Sequence, residues 1–290
     1  MHKYLLKFVA INNHFKNIKM NRKLLFIPFI TLLWNCGNSP QKDSEMSSDT
    51  LNYTLKIFEK HSQTCVNKDS LCATVKFQYP EFESVSFNQV IKNEILNIYH
   101  DDNDSTKSRP TNFEELAKPF VDDYDLKLNE GKAFVKGANS INAGGFLAMP
   151  WYMEASSTVQ RQTEKYLMLH TNTNWFMGGN HPISMEYYYV YNRKDFKRIT
   201  LDDLFQKGYD QKLLNIAEEI FRKQEKLKPG DKLSEEAGYF FENQRFILND
   251  NFILTEKGVK FLFNVYEIKA YAFGITELEI PYEKLNGILK

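Results

Sequence analysis

Residues 164–191 read EKYLMLHTNTNWFMGGNHPISMEYYYVY. Two segments rich in β-branched and aromatic residues, Glu164–Thr173 and Ser184–Tyr191, flank a turn marked by Gly178-Gly179. That combination predicts a pair of strands joined by a glycine turn. A third β-rich segment, Phe146–Val159, precedes them, so the middle of the chain reads as sheet. The aromatics run throughout: Trp151, Tyr152, Tyr166, Tyr187, Tyr188, Tyr189 and Tyr191.

Towards the N-terminus, Leu51–Lys60 and Cys72–Tyr79 alternate in hydropathy and are expected as strands, the second ended by Pro80. Ser84 or Ser86 caps an expected helix with Phe87, Val90, Ile91, Ile95 and Ile98 at helical spacing. Thr111 and Glu114 form the signature of a capping box for a second helix. Its expected apolar face is Phe113, Leu116, Ala117, Phe120 and Tyr124, and Pro119 is expected to bend or shorten it. Towards the C-terminus, Thr200 starts the short LDDLF turn and Tyr209–Lys226 is an amphipathic helix. Asn251–Leu254, Val259–Val265 and Ile275–Ile280 are strands, and Tyr282–Leu285 is a helical turn. The expected fold is α+β: two small domains of mostly antiparallel sheet with packed helices, at residues 51–175 and 176–290.

The first 35 residues have a different character. Lys19-Met20-Asn21-Arg22-Lys23 is basic, Leu24–Trp34 is an uncharged apolar run of 11 residues, and Cys36 follows. This is the order of a secretory signal, and the run is shorter than the about 20 residues that span a bilayer. Leu33-Trp34-Asn35-Cys36 resembles a bacterial lipobox, with Trp34 and Asn35 in place of the usual small residues. Cys36 is therefore the expected lipidation site, and a membrane-anchored lipoprotein facing periplasm or cell surface the expected location. An uncleaved apolar anchor is the competing reading. Met20 opens a signal of ordinary size, so residues 1–19 read as upstream of it. Residues 36–50 are polar, without apolar periodicity, and read as a flexible tether.

The 290 residues carry 37 basic and 37 acidic side chains. Six of the basic ones lie in residues 1–35, which hold no Asp or Glu, so the remainder is net −6. An acidic body argues against nucleic acid as a partner. Besides Cys36, only Cys65 and Cys72 remain, on strand-like segments flanking the polar turn Asn67–Ser70. A disulfide between them suits an exported protein, and closing so short a loop contributes about 2.5 kcal/mol in the chain-entropy picture. Two free buried thiols are the alternative. C-x₆-C is not a zinc spacing, and no metal or other cofactor is expected.

Candidate chemistry is sparse. His181, beside Gly178 and Gly179, is placed to bind or to move a proton, and equally to cap backbone in a turn. Trp175 borders the same turn and leads the aromatics as a binding candidate. Asp101–Ser105 fails as a calcium loop, with Thr106 where Gly is needed and Asn112 where Glu is needed. Adjacent carboxylates such as Glu114/Glu115 and Glu218/Glu219 point about 100° apart on a helix and do not form an acid/base pair. No nucleophile elbow, phosphate loop or dinucleotide fingerprint occurs. No catalytic residue set is assigned.

WFMGGNHP with YYYVYNRKDFKRITLDDLF, and then FILTEKGVKFLFNVYEIKAYAFGITELEIPYEKL, resemble successive blocks of a bacterial envelope domain of unknown function. That domain is shared by the anti-sigma factor RsiV and the peptidoglycan deacetylase PdaC. CATVKFQYPEF and the helix around Ile91 resemble its companion N-terminal domain. The resemblance implies an extracytoplasmic protein that binds a glycan, peptidoglycan or a lysozyme-like protein, and it brings no catalytic residues. A cell-wall hydrolase or deacetylase using His181, and a structural lipoprotein without small ligand, are the alternatives.

Overall fold

The computed structural model describes residues 50–66, 71–100, 108–137 and 149–290. The signal segment, Cys36, most of the tether, the Asn67–Ser70 turn and the Asp101–Ser105 loop lie outside the described residues. Among the described residues, no helix is long and apolar enough to cross a membrane.

Five strands form one sheet in sequence order: β1 (Tyr53–His61), β2 (Ala73–Phe82), β3 (Trp151–Gln162), β4 (Tyr166–Phe176) and β5 (Ile183–Asn192). All neighbours are antiparallel except β2 and β3, which pair in parallel from Ala73↔Trp151 to Gln78↔Ser156. A parallel pair requires a crossover. Two helices between β2 and β3 supply it: α1 (Val85–Ile98) and α2 (Phe113–Gly137). Both bury their apolar stripes on one face of the sheet. Phe87, Ile91 and Ile95 of α1 and Phe113, Ala117 and Tyr124 of α2 are buried there with Val75, Phe77 and Leu169. Each large side chain so buried contributes about 1.5–3 kcal/mol.

The Ser84 hydroxyl accepts from Phe87 N–H at 3.3 Å, as the α1 signature predicts. The α2 cap is displaced by one residue. Asn112 Oδ1 accepts from Glu115 N–H at 2.9 Å, and the Glu115 carboxylate accepts from Thr111 N–H at 2.8 Å. Glu114, freed from that role, reaches Lys60 on β1 at 2.6 Å. The neighbouring carboxylates thus diverge, as helical geometry requires. Two further expectations are corrected. Pro119 does not shorten α2, which runs on to Gly137. Pro80 does not end β2, which continues to Phe82 opposite β1. By Pro80 the β3 register has already stopped, so β2 has a single paired neighbour there and a residue without an N–H is tolerated.

After β5 come the single-turn α3 (Leu201–Leu204), the amphipathic α4 (Asp210–Gln224) and a three-stranded antiparallel sheet. Its strands are β6 (Phe252–Leu254), β7 (Gly258–Phe263) and β8 (Thr276–Pro281). The protein is α+β, as expected. The larger sheet nevertheless continues past the expected division at 175/176, because β5 pairs with β4 along its whole length. These two strands serve two cores. Leu167, Leu169, Tyr189 and Tyr191 face the helices, whereas Met168, Tyr188 and Val190 face the core of α4 and the small sheet. The near-continuous apolar run YYYV is the mark of a strand covered on both faces.

Cys65 and Cys72 are joined by a disulfide, Cα–Cα 5.0 Å, that closes the β1–β2 connection.

Candidate functional site

Two loops meet at the end of β4 and β5. One is the turn 177–182. The other is residues 264–275, between β7 and β8. Gly178 and Gly179 have φ of +87° and +113°, a region that side chains with a Cβ rarely adopt. Space is not the constraint at Gly178, where an added Cβ would lie 3.8 Å from the Trp151 indole nitrogen. The two glycines reverse the chain and leave His181 exposed.

The His181 ring stacks on Tyr271, centroids 4.2 Å apart and planes 27° apart. Tyr266 lies nearly parallel to it at 6.3 Å, and the two tyrosine rings are 5.5 Å apart. Tyr266 Oη lies 3.2 Å from His181 Nε2, and Nδ1 lies 2.9 Å from the Pro182 carbonyl oxygen. The carbonyl can only accept, so Nδ1–H donates to it, and in the neutral ring Nε2 accepts from the Tyr266 hydroxyl. Both ring nitrogens are therefore occupied and the imidazole is fixed in orientation.

Tyr266 adopts φ +63°, in the left-handed region, a costly conformation for a bulky residue (about 1–3 kcal/mol). Part-buried polar groups hold it there. Glu267 N–H closes a turn onto the Asn264 carbonyl at 3.1 Å. The Glu267 carboxylate accepts from Asn264 N–H and from Asn249 Nδ2, each at 2.8 Å. Burial pushes the Glu267 carboxyl up from the ordinary range, partly offset by those two donors.

The loop is bolted to β5 by the same asparagine. β5 is an edge strand, and its outward backbone groups need partners. Asn264 Oδ1 accepts from Glu186 N–H at 2.7 Å, and its Nδ2 donates to the Glu186 carbonyl at 3.0 Å. Asn251 repeats the device: Oδ1 accepts from Tyr188 N–H at 2.7 Å, and Nδ2 donates to the Glu186 and Leu262 carbonyls at 2.9 and 3.2 Å. Two side-chain amides thus close the edge where a further strand would otherwise pair, and fix the His181 surface to the sheet.

Of the residues singled out from sequence, Gly178, Gly179 and His181 lie together in this site. Trp175 does not join them. Register places it opposite Met153 and Ile183, on the face packed by the helices. Its indole N–H is buried there without an acceptor. Tyr266 and Tyr271 supply the aromatic surface instead. They belong to the quoted stretch YEIKAY, but 85 residues separate Tyr266 from His181, and no local pattern announces that they meet. Met177, Phe273 and Ile275 on the same two loops are exposed. The arrangement offers stacking faces, apolar rims and a tyrosine hydroxyl. Among the described residues, no three His, Cys, Asp or Glu side chains cluster so as to hold a metal ion.

Residues 202–283 match the family described as protein of unknown function DUF3298. That stretch includes Tyr266, Glu267 and Tyr271 and stops short of His181. The fold is similar to the crystal structure of a DUF3298 family member from Bacteroides fragilis, with 23% identity, TM-score 0.63, and coverage of 83% of this chain and 94% of that one. It is likewise similar to a DUF3298 family protein from Pseudomonas aeruginosa, with 19% identity, TM-score 0.60, and coverage of 83% and 95%. No curated protein matches the sequence. Residues 202–283, whose YEIKAY loop clasps the glycine-turn histidine, thus resemble the DUF3298 family in sequence, and the fold resembles solved members of that family.

Proposed function

We propose that this is an extracytoplasmic envelope protein, moored by lipid at Cys36, whose His181–Tyr266–Tyr271 surface holds a glycan of the cell wall. The observation that carries the reading is the exposed His181 ring, stacked at 4.2 Å on Tyr271 and fixed through both nitrogens. Sugars bind flat aromatic faces through their C–H edges and take hydrogen bonds from fixed donors and acceptors at the rim, and a rigid surface loses little entropy on binding. The basic–apolar–cysteine order of residues 19–36 supports export and lipidation. The Cys65–Cys72 disulfide is in keeping with an oxidising compartment.

Calorimetric titration with soluble peptidoglycan fragments tests the site. The parent should bind, and Tyr271→Ala and His181→Ala should weaken binding at least tenfold with the fold unchanged. Retention of a lysozyme-like protein but of no glycan would replace this reading with a protein-binding one. Intact mass of the membrane-extracted protein tests the anchor: cleavage before Cys36 with added acyl chains is expected, and an unmodified Met1 terminus would refute it.

A further inference from the structure

Among the described residues, the other edge of the large sheet has no such closure. Strand β1 is terminal in the sheet, and residues Tyr53 to Ile57 are all exposed. Tyr53, Leu55 and Ile57 project from one face and are 40%, 54% and 57% exposed. Two usual defences of an edge, proline and a bulge, are missing. The segment YTLKI contains no proline, its pairing with β2 runs without a bulge, and its only charge, Lys56, is engaged by Glu81 at 3.2 Å.

We propose that β1 pairs antiparallel with β1 of a second copy of this chain, centred on Leu55. Strand pairing satisfies the free backbone groups, and side chains directly opposite must agree. Centring on Leu55 sets Leu55 against Leu55 and Tyr53 against Ile57 twice over, with Thr54 facing Lys56. Centring on Lys56 would oppose two lysines and put Tyr53 against Glu59. Centring on Ile57 would put Leu55 against Glu59 and Tyr53 against His61. Among these three registers, only the Leu55-centred one keeps apolar groups together without opposing like charges, and the palindromic Tyr-x-Leu-x-Ile pattern makes an identical strand the matching partner. The contact is short, so the dimer is weak in solution; two copies held on one membrane would meet at the raised effective concentration of tethered partners. The strand pairing is independent of the glycan reading; only the raised concentration on a membrane rests on the proposed lipid anchor.

The test uses the full chain in mild detergent with Cys36→Ser, which leaves only the disulfide-bonded cysteines. Leu55→Cys should form an intermolecular disulfide under mild oxidation at least tenfold faster than the exposed control Val85→Cys. Ile57→Cys should crosslink with Tyr53→Cys but not with itself. By sedimentation equilibrium the Cys36→Ser chain should dimerise as concentration rises, and adding Leu55→Lys, which opposes two charges across the two-fold axis, should weaken association at least tenfold. A Cys36→Ser chain that stays monomeric at millimolar concentration, association indifferent to Leu55→Lys, or Leu55→Cys crosslinking no faster than the control would each overturn the proposal.

Discussion

The two edges of one sheet are treated in opposite ways. At β5, Asn251 and Asn264 occupy the backbone groups of Glu186 and Tyr188, and the second amide also holds the loop that carries Tyr266 and Tyr271. At β1, five successive residues face solvent. The same requirement, that strand-edge amides find partners, is met inside the chain at β5 and, among the described residues, left open at β1. Burying two polar side chains is stabilising only while every group is matched, so the β5 edge is rigid and intolerant. The β1 edge is tolerant and available.

Substitution at Asn251 should break this contrast most severely. Asn251→Leu leaves the buried Tyr188 N–H without its partner and strips one of two amide donors from the Glu186 and Leu262 carbonyls, which keep Asn264 and Asn249, and about 3 kcal/mol of stability should be lost in urea unfolding. Asn264→Ala should cost about 2 kcal/mol, because part of its surroundings admits water, and it should also weaken glycan binding by releasing the loop.

A smaller effect concerns pH. Burial raises the folded pKa of Glu267 above its ordinary value of 4.5, so the folded state holds that proton more tightly than the unfolded chain. Its contribution favours folding below 4.5 and is lost as pH rises through the raised value. Glu267→Gln should therefore flatten the stability profile in the window just above pH 4.5, as followed by urea midpoints. Smallest of all, Ile57→Thr on the open edge should change monomer stability by no more than about 0.5 kcal/mol. A loss comparable to that of Asn251→Leu would erase the distinction between the edges.

Much of this architecture is legible in the sequence because periodicity reports burial. The stripes of α1, α2 and α4, the strands around the glycine turn and the Cys65–Cys72 pair all follow from local pattern. The parallel β2–β3 pairing does not: it is a consequence of where two helices return the chain, which local pattern does not encode. Pro80 and Thr111–Glu114 mislead for a similar reason. Whether a proline ends a strand depends on its neighbours, and at α2 Asn112, not Thr111, is the residue that caps.

The candidate site was half visible. Gly178, Gly179 and His181 stand out through backbone freedom and side-chain chemistry. Asn251 and Asn264 read only as members of the expected strands Asn251–Leu254 and Val259–Val265, since nothing local distinguishes an amide that closes a sheet edge from any other asparagine at a strand end. Tyr266 in a left-handed conformation has no sequence signature either; Gly or Asn would be expected there.

Amide chemical-shift mapping of the protein with a soluble peptidoglycan fragment tests the central claim most directly. The account predicts shifts concentrated at Gly179, His181, Tyr266 and Tyr271, with β1 unmoved. Shifts centred on β1 or on the helix-covered face, or none at saturating fragment, would contradict it.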